Sequence, residues 1–454
     1  LGVGLVTNWV FAQSFKVPTN SESVYISALI LVLIVPPIQS LHSLPFAFWA
    51  TVWTMAGKFM VAWHRKHLFN PVAFGVAVAG LALGASATWW VGSAPMLPWV
   101  LIGGVLIVRK IRRANLVWSF LILASLSLAV SDLMTGSSLT TSFKHLLIDS
   151  PLIFFATIML TEPLTTPPTN LWQMIYGGVV GILFNPNVHI GSFFFTPELA
   201  LVAGNVLSWG ASPKTNSMLT LRERNQLAPD IFEFIFDTDR PLAFSAGQYL
   251  EWTLPHEGPD NRGNRRYFTI ASAPNTKNVR MGVKFYEKPS SYKHALTQLK
   301  PGSQIVAGHL AGDFILPHDL KEKIVLIAGG IGVTPFRSMI EYMLNKNERR
   351  DIVLLYSGKT PDQLVYRDLF DAAVQRIGLK VAYHVTDAAV VSAGWTGKLG
   401  MITADTIKHD VPDYKERRFY LSGPRAMVVS FEKTLAELGV PRTHIITDYF
   451  PGFA

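Results

Sequence analysis

The chain has 454 residues, 49% of them hydrophobic, with a formal net charge of +9 and no cysteine. That length is too great for one ordinary domain. The absence of cysteine excludes disulfides, thiolate-held iron–sulfur clusters and a cysteine nucleophile. The charge is unevenly distributed: residues 1–210 hold nine of the 40 Lys/Arg and five of the 31 Asp/Glu. The first half therefore reads as a membrane domain and the second as a water-soluble one. The positive balance is not a nucleic-acid signal, because much of the basic excess in the first half lies in short loops between apolar segments.

In chain order, apolar runs fall at about 3–14, 22–42, 44–63, 71–90, 96–108, 114–131, 150–161, 171–184 and 197–209. They predict an α-helical polytopic membrane domain over 1–210. Several runs are shorter than the ~20 residues a straight span needs, which suggests half-helices broken at Pro or Gly. The stretch starting at Leu1 lacks a basic n-region and is expected to be a truncated N-terminus, not a signal peptide. His64-Arg65-Lys66-His67 and Arg109-Lys110-Ile111-Arg112-Arg113 are placed on the cytoplasmic side. The loops then alternate, so that 132–149 lies outside and the second half inside. Leu68-Phe69-Asn70-Pro71 recurs as Leu183-Phe184-Asn185-Pro186, the pattern of an inverted repeat with a cofactor near its interface. Lys58, Asp132 and Glu162, at or near these segments, are candidates for coupling ion movement to electron flow, although plain helix-end charges are the better explanation of them.

Four strings carry a family resemblance: Ile34-Val35-Pro36-Pro37, Gly57-Lys58, Phe69-Asn70-Pro71-Val72-Ala73-Phe74-Gly75, and Thr161-Glu162-Pro163 with Thr166-Pro167-Pro168-Thr169. On these, residues 22–210 resemble the D subunit of the Rnf complex and the B subunit of the sodium-pumping NADH:quinone reductase. That resemblance implies an FMN esterified through its phosphate to a hydroxyl in a motif like Asp-x-x-[Ser/Thr]-Gly-Ala-Thr, attached by a flavin transferase. Here Asp132-Leu133-Met134-Thr135-Gly136-Ser137-Ser138 stands at that place. Asp132, Thr135 and Gly136 match, and Ser138 replaces the acceptor threonine. Thr135, Thr140 and Thr141 are fallback acceptors. A plain Ser/Thr-rich loop is the bland alternative.

Residues 214–317 read as a β-barrel. Ile231–Phe236 and Val279–Phe285 alternate polar and apolar residues, and turn clusters separate such runs. From 322 to 454 the pattern changes to strand and helix in alternation, which predicts a doubly wound α/β domain. A buried run, Lys323–Ala328, leads into Gly329-Gly330-Ile331-Gly332-Val333-Thr334-Pro335 and a helix to about Leu344. A second strand covers Ile352–Tyr356, a helix lies near Asp362–Gln375, and another strand spans Lys380–Val385. Arg418–Leu421 leads into Ser422-Gly423-Pro424 and a last helix. Glycine turns between strand and helix let a backbone approach a pyrophosphate.

This half resembles the ferredoxin–NADP⁺ reductase superfamily, an FAD barrel followed by a nicotinamide domain. Arg266-Tyr267-Phe268-Thr269 matches its Arg-x-[Tyr/Phe]-[Ser/Thr] flavin motif. The resemblance implies that Arg266 binds the FAD pyrophosphate, the aromatic residue packs on the flavin, and Thr269 bonds the isoalloxazine edge. Gly247-Gln248-Tyr249 and Gly312-Asp313-Phe314 match flanking barrel motifs. Ser290-Ser291-Tyr292-Lys293 occupies the second pyrophosphate segment, with the usual glycine missing. Gly329, Gly330, Gly332, Thr334 and Pro335 correspond to the nicotinamide-nucleotide loop. Ser422-Gly423-Pro424 corresponds to Cys-Gly-Pro with serine for cysteine, and Phe450 to the aromatic residue covering the flavin.

Together these readings imply an inner-membrane flavin oxidoreductase. NAD(P)H would reduce FAD on the cytoplasmic side. Electrons would cross through a second, non-covalent flavin and the FMN on Ser138, to a quinone or an extracytoplasmic acceptor protein. No resident metal is expected. The alternatives are a haem-containing transmembrane ferric reductase or oxidase, which needs histidine pairs inside helices, and a transporter whose second half senses NAD(P)H.

Overall fold

The computed structural model describes residues 1–450 except 16–20, 39–40, 64–65, 112, 213–215, 259, 261–262 and 392–393. At Ser21, His42, Trp63, Lys66, Val390, Tyr449 and Phe450 it describes the backbone alone. The chain divides into two compact units, Leu1–Asn216 and Ser217–Ala454.

The first unit is helical. Its helices are α1 (Gly2–Phe15), α2 (Ser21–Ile34), α3 (Leu44–Met60), α4 (Pro71–Leu83), α5 (Leu97–Ile111), α6 (Ala114–Thr135), α7 (Leu139–Ile148), α8 (Leu152–Phe154), α9 (Asn170–Leu183) and α10 (Pro197–Ala211). α8 continues as a π-helical turn, Phe155–Met159. Two-residue ribbons, β1 (Ala62–Trp63) with β2 (Lys66–His67) and β3 (His189–Ile190) with β4 (Phe193–Phe194), connect helices. Sequence alone points to nearly all of these helices; α7 lies in a stretch expected to be a loop.

Helix length corrects the expectation of a polytopic domain. Among the described residues, α6 is the one helix long and apolar enough to cross a bilayer. The pair Leu139–Ile148 and Leu152–Met159, bent by 57°, passes only when its two parts are taken together. Of the other main helices, the shortest, α4, has 13 residues and the longest, α3, has 17. These are roughly 20–25 Å long against a hydrocarbon core of about 30 Å. Glycine and proline end the apolar runs early: Gly84 adopts the left-handed conformation that stops α4 well short of residue 90. The two copies of Leu-Phe-Asn-Pro also differ in role. Asn70 opens α4, its side chain accepting from the Val72 and Ala73 amides, whereas Asn185 follows α9 and donates to Ser127 Oγ at 3.0 Å. Lys58 donates to Ser23 O at 2.9 Å, Glu162 accepts from Thr165 Oγ1 at 3.1 Å, and Asp132 is buried. His64, Arg65 and Arg112, used above for orientation, lie outside the described residues.

The second unit begins with an antiparallel barrel: β5 (Ser217–Ala228), β6 (Ile231–Thr238), β7 (Tyr249–Thr253), β8 (Arg265–Thr269), β9 (Asn278–Lys284), then α11 (Ser291–Thr297) and β10 (Gln304–Ala311). The strand order is β8-β7-β10-β5-β6-β9. Beyond its two end strands, Ala271 N donates to Arg280 O at 2.8 Å. In β9 the inward residues Val279, Met281 and Val283 alternate with half-buried ones, the period of a strand with one apolar face.

A parallel sheet follows, ordered β14-β13-β12-β11-β15-β16. Its elements are β11 (Ile324–Gly329), α12 (Thr334–Lys346), β12 (Ile352–Gly358), α13 (Arg367–Ile377), β13 (Lys380–Val385), β14 (Lys398–Leu399), α14 (Ala404–Asp410), β15 (Arg418–Pro424), α15 (Arg425–Glu437) and β16 (Ile445–Phe450). Every residue of central β11 is buried, as expected of a strand covered on both faces. The helix expected from Asp362 begins instead at Arg367, after a 3₁₀ turn at Pro361–Gln363.

Candidate active site

Ligands in a parallel sheet bind beyond the carboxyl ends of its strands. Here β11 and β15 are neighbours, and each ends in a glycine-bearing turn. The two turns touch: a Cβ on Gly332 would lie 2.5 Å from the Cα of Gly423 and 2.5 Å from Ser422 O. Only glycine permits that approach. Gly329 and Gly330 lead into this turn, and Thr334 and Pro335 start α12, with Pro335 in its first turn, where a missing N–H costs nothing. Thr334 Oγ1 donates to Ile331 O at 3.2 Å. Pro424 pairs through its backbone with Phe450 at the end of β16. The Phe450 side chain, the expected flavin cover, lies outside the described residues.

On the barrel, Arg266 and Phe268 share one face of β8. The Arg266 guanidinium lies 5.1 Å from the centroid of the Tyr292 ring, and the Phe268 ring 6.0 Å from it. Tyr292 is fully buried and donates to Trp252 O at 3.1 Å. Burial pushes its phenol pKa well above the ordinary value, so it stays a neutral donor. Arg266 also reaches Asp260 Oδ1 at 3.2 Å and Gly263 O at 3.0 Å. The Asp260 amide donates to Ser291 Oγ at 2.9 Å, so this loop joins the β8 motif to the start of α11. Ser290 caps that helix through the Lys293 amide. The Lys293 ammonium donates to Lys284 O at 2.8 Å. Tyr267 points the other way, exposed, with its hydroxyl 2.8 Å from Glu251 Oε2.

The flanking motifs also meet. Gln248 Nε2 donates to Gly312 O at 3.1 Å, and Gly247, at φ 99°, is backed by Phe314 O.

Among the described residues, the buried hydroxyls without a hydrogen-bond partner include two in the site motifs, Thr269 Oγ1 at the end of β8 and Ser422 Oγ at the end of β15. A buried unpaired hydroxyl is costly, so each such group calls for a partner from a ligand or an ordered water. One stands on each half, in the two motifs expected to face flavin and nicotinamide. The residues present thus fit an FAD held by the barrel and a nicotinamide nucleotide held by the glycine turns.

Residues 326–433 match the family described as the oxidoreductase NAD-binding domain. A flavohemoprotein of Bacillus cereus is 27% identical over 224 residues, 47% of this chain and 55% of that protein. NADH-cytochrome b5 reductase 1 of Emericella nidulans is 26% identical over 285 residues, 57% of this chain and 91% of that one. The glycine betaine monooxygenase reductase subunit of Chromohalobacter salexigens is 26% identical, over 49% of this chain and 60% of its own length. The second unit is thus similar in sequence to flavohemoproteins and NADH-cytochrome b5 reductases, and within it residues 326–433 carry the NAD-binding family match. The chain spans only about half of the flavohemoprotein. Among solved structures, the Amycolatopsis cytochrome P450 reductase GcoB matches with TM-score 0.46 and 24% identity, covering 52% of this chain and 69% of its own.

Sequence reasoning missed the residues joining the module's two halves, the buried Glu233, Arg337 and Ser338 and the half-buried Glu341. An arginine beside apolar positions in the first turns of α12, with a glutamate four residues on, was the available signal. In the first unit, Ser138 is the exposed N-cap of α7 and accepts from Thr141 Oγ1 at 3.3 Å. Thr135 Oγ1 donates to Ser131 O at 3.0 Å and lies 2.9 Å from Ser137 Oγ. His145 and His189 are exposed, the first paired to Asp149 and the second bonded to Gly191 O. No histidine pair faces a helix interior among the described residues.

Proposed function

We propose that this chain oxidises NAD(P)H in its reductase module and passes the electrons through the first unit to an acceptor across a membrane. The observation that carries the first step is the pair of unpartnered buried hydroxyls, Thr269 on the barrel and Ser422 on the nucleotide domain. When bound, FAD accepts two electrons from NAD(P)H as a hydride and can release them singly. Arg266 and the amide-rich start of α11 would hold its pyrophosphate, Phe268 its ring, and Thr269 its polar edge. The turns at Gly329–Pro335 and Ser422–Pro424 would hold the nucleotide, and Phe450 would cover the ring. Without cysteine, the chain has no thiolate-held cluster to receive the electrons, so a further flavin is the natural next carrier.

The first unit supports a lipid setting by where its side chains lie. Trp9, Leu29, Leu106, Trp118 and Leu133 are exposed, while Asn70, Gln173, Glu198 and Asn205 are buried. That is the reverse of a water-facing helical domain, and so many exposed large apolar side chains favour contact with lipid or protein. We place α6 across the inner membrane, with the module in the cytoplasm. Ser138 lies just beyond the end of α6, where the N-terminus of α7 favours a phosphate, and is our acceptor for covalent FMN from a flavin transferase. A second, non-covalent flavin would relay electrons to it. The terminal acceptor would be a quinone or an extracytoplasmic protein.

The test is in-gel flavin fluorescence after denaturing electrophoresis, comparing the wild-type chain with Ser138→Ala. Fluorescence in the wild type alone supports the assignment. Persistence in the variant removes Ser138 as acceptor, and absence from both removes covalent FMN.

A further inference from the structure

Three consecutive backbone positions after the β8 flavin motif are held by three side chains of α12, the helix that opens from the nucleotide loop. Arg337 Nη1 donates to Ala271 O at 2.6 Å. Ser338 Oγ donates to Ser272 O at 2.7 Å. Glu341 Oε2 accepts from the Ala273 amide at 2.5 Å. Thr269 lies two residues before the first of these contacts, and Thr334 three residues before Arg337. The joint therefore connects the two motifs that are meant to bring flavin and nicotinamide together.

Its charges balance inside the module. Arg337 is 5% exposed; its guanidinium also reaches Glu341 Oε2 at 3.1 Å, lies 3.6 Å from Glu233 Oε1, and lies 4.9 Å from the Tyr366 ring centroid. Glu233, on β6, is paired with Arg280 of β9 at 2.6 Å. Two arginines thus face two glutamates across the boundary between barrel and nucleotide domain. Glu233 and Arg337 are the buried members, and a charge cluster with a buried centre is a poor source of net stability but tolerates few geometries. The arginine fork contributes most to that selectivity, because it bonds a carbonyl and a carboxylate at once.

We propose that Arg337 is a positioning residue for hydride transfer. By fixing α12 to residues 271–273, it sets the register between the nucleotide loop and the flavin edge. This rests on the NAD(P)H oxidation proposed above. Misplacing reacting atoms by about 1 Å costs on the order of 100-fold in rate, so a loosened joint lowers the rate of flavin reduction while the binding surfaces on either side persist.

The experiment uses the full chain, purified in detergent and loaded with FAD. Arg337→Lys keeps the charge and removes the fork; Ser338→Ala removes the bond to Ser272 O, and Glu341→Ala removes the acceptor of the Ala273 amide together with the pairing to Arg337. Anaerobic stopped-flow measurement at saturating NAD(P)H is expected to show flavin reduction slowed roughly 10- to 100-fold in Arg337→Lys. Flavin content and the half-saturating nucleotide concentration should stay within about threefold of wild type. Independently of any cofactor, hydrogen exchange of the Ala273 amide in flavin-free protein should accelerate in Arg337→Lys and Glu341→Ala. A loaded Arg337→Lys variant that reduces flavin at the wild-type rate overturns the proposal. Should that variant not fold, wild-type rates in both Ser338→Ala and Glu341→Ala overturn it equally. If the wild-type chain itself fails to reduce FAD, the reading of the function fails, and the amide exchange still decides whether the joint exists.

Discussion

Gly332 sits against Gly423 so closely that a methyl group at 332 would fall 2.5 Å from the Gly423 Cα. The contact joins the ends of two adjacent parallel strands, β11 and β15, and forms the floor on which a nicotinamide nucleotide would rest. Backbone lies on both sides, so no flexible side chain can move aside for an added methyl group.

Gly332→Ala should therefore push the turns apart. The expected outcome is a rise of at least about tenfold in KM for NAD(P)H, equivalent to roughly 1.4 kcal/mol of lost binding. The barrel is untouched, so FAD content should stay near wild type. Steady-state oxidation with an artificial acceptor, together with flavin absorbance, measures both. Wild-type KM in the variant would mean that the nucleotide binds elsewhere.

Thr269→Val removes a hydroxyl that has no partner in the protein alone. Replacing an unsatisfied buried polar group by an apolar one of the same shape is neutral or stabilising. Flavin-free Tm should therefore hold or rise, whereas flavin affinity should weaken by about 1–3 kcal/mol if that hydroxyl bonds the ring. Differential scanning fluorimetry with and without FAD reads both. A variant destabilised without flavin and unaffected with it would contradict the assignment.

Asp413 lies between Arg417, at 2.6 Å, and Lys323, at 2.9 Å. The hydrogen bond from Arg417 is the main cause that depresses the Asp413 pKa to about 2 from 3.8. A carboxylate with a lowered folded-state pKa stabilises the fold above its unfolded value and loses that contribution as pH falls through the folded one. Asp413→Asn should lower Tm at pH 7 by a few degrees, about 2–4 °C per kcal/mol in a unit of this size. The gap should close between about pH 4 and pH 2. Thermal melts across that range check it, and a pH-independent gap would show that packing, not charge, is responsible.

Ile122 is an exposed residue near the middle of α6. In lipid, an arginine there costs about 2.5–3.5 kcal/mol; in water it costs little. Ile122→Arg should sharply reduce the carbonate-resistant membrane fraction of the chain. Unchanged fractionation, or a wild-type chain found wholly in the soluble fraction, would remove α6 from the membrane.

Much of the reductase module was legible because its chemistry is local in sequence. The turn at Gly329–Pro335 and the Arg266–Thr269 strand each occupy a few consecutive residues, and the strand periods around them are clear. The joint around Arg337 was not, since its partners lie at 233, 271–273 and 366, far apart along the chain. The first unit misled in a different way. Apolar runs record composition, but helix length is decided by breaks such as the left-handed Gly84, which hydropathy does not register. α7 was missed because Leu139–Ile148 mixes polar residues with an amphipathic stripe too short to stand out beside its apolar neighbours.

The most direct test of the account is an anaerobic titration of the FAD-loaded full chain with NADH and with NADPH, followed by visible flavin absorbance, in parallel with Arg266→Ala. The account predicts that at least one nucleotide bleaches the wild-type flavin stoichiometrically and that Arg266→Ala retains far less FAD. A chain that holds FAD firmly yet keeps its oxidised spectrum with excess of both nucleotides would contradict it.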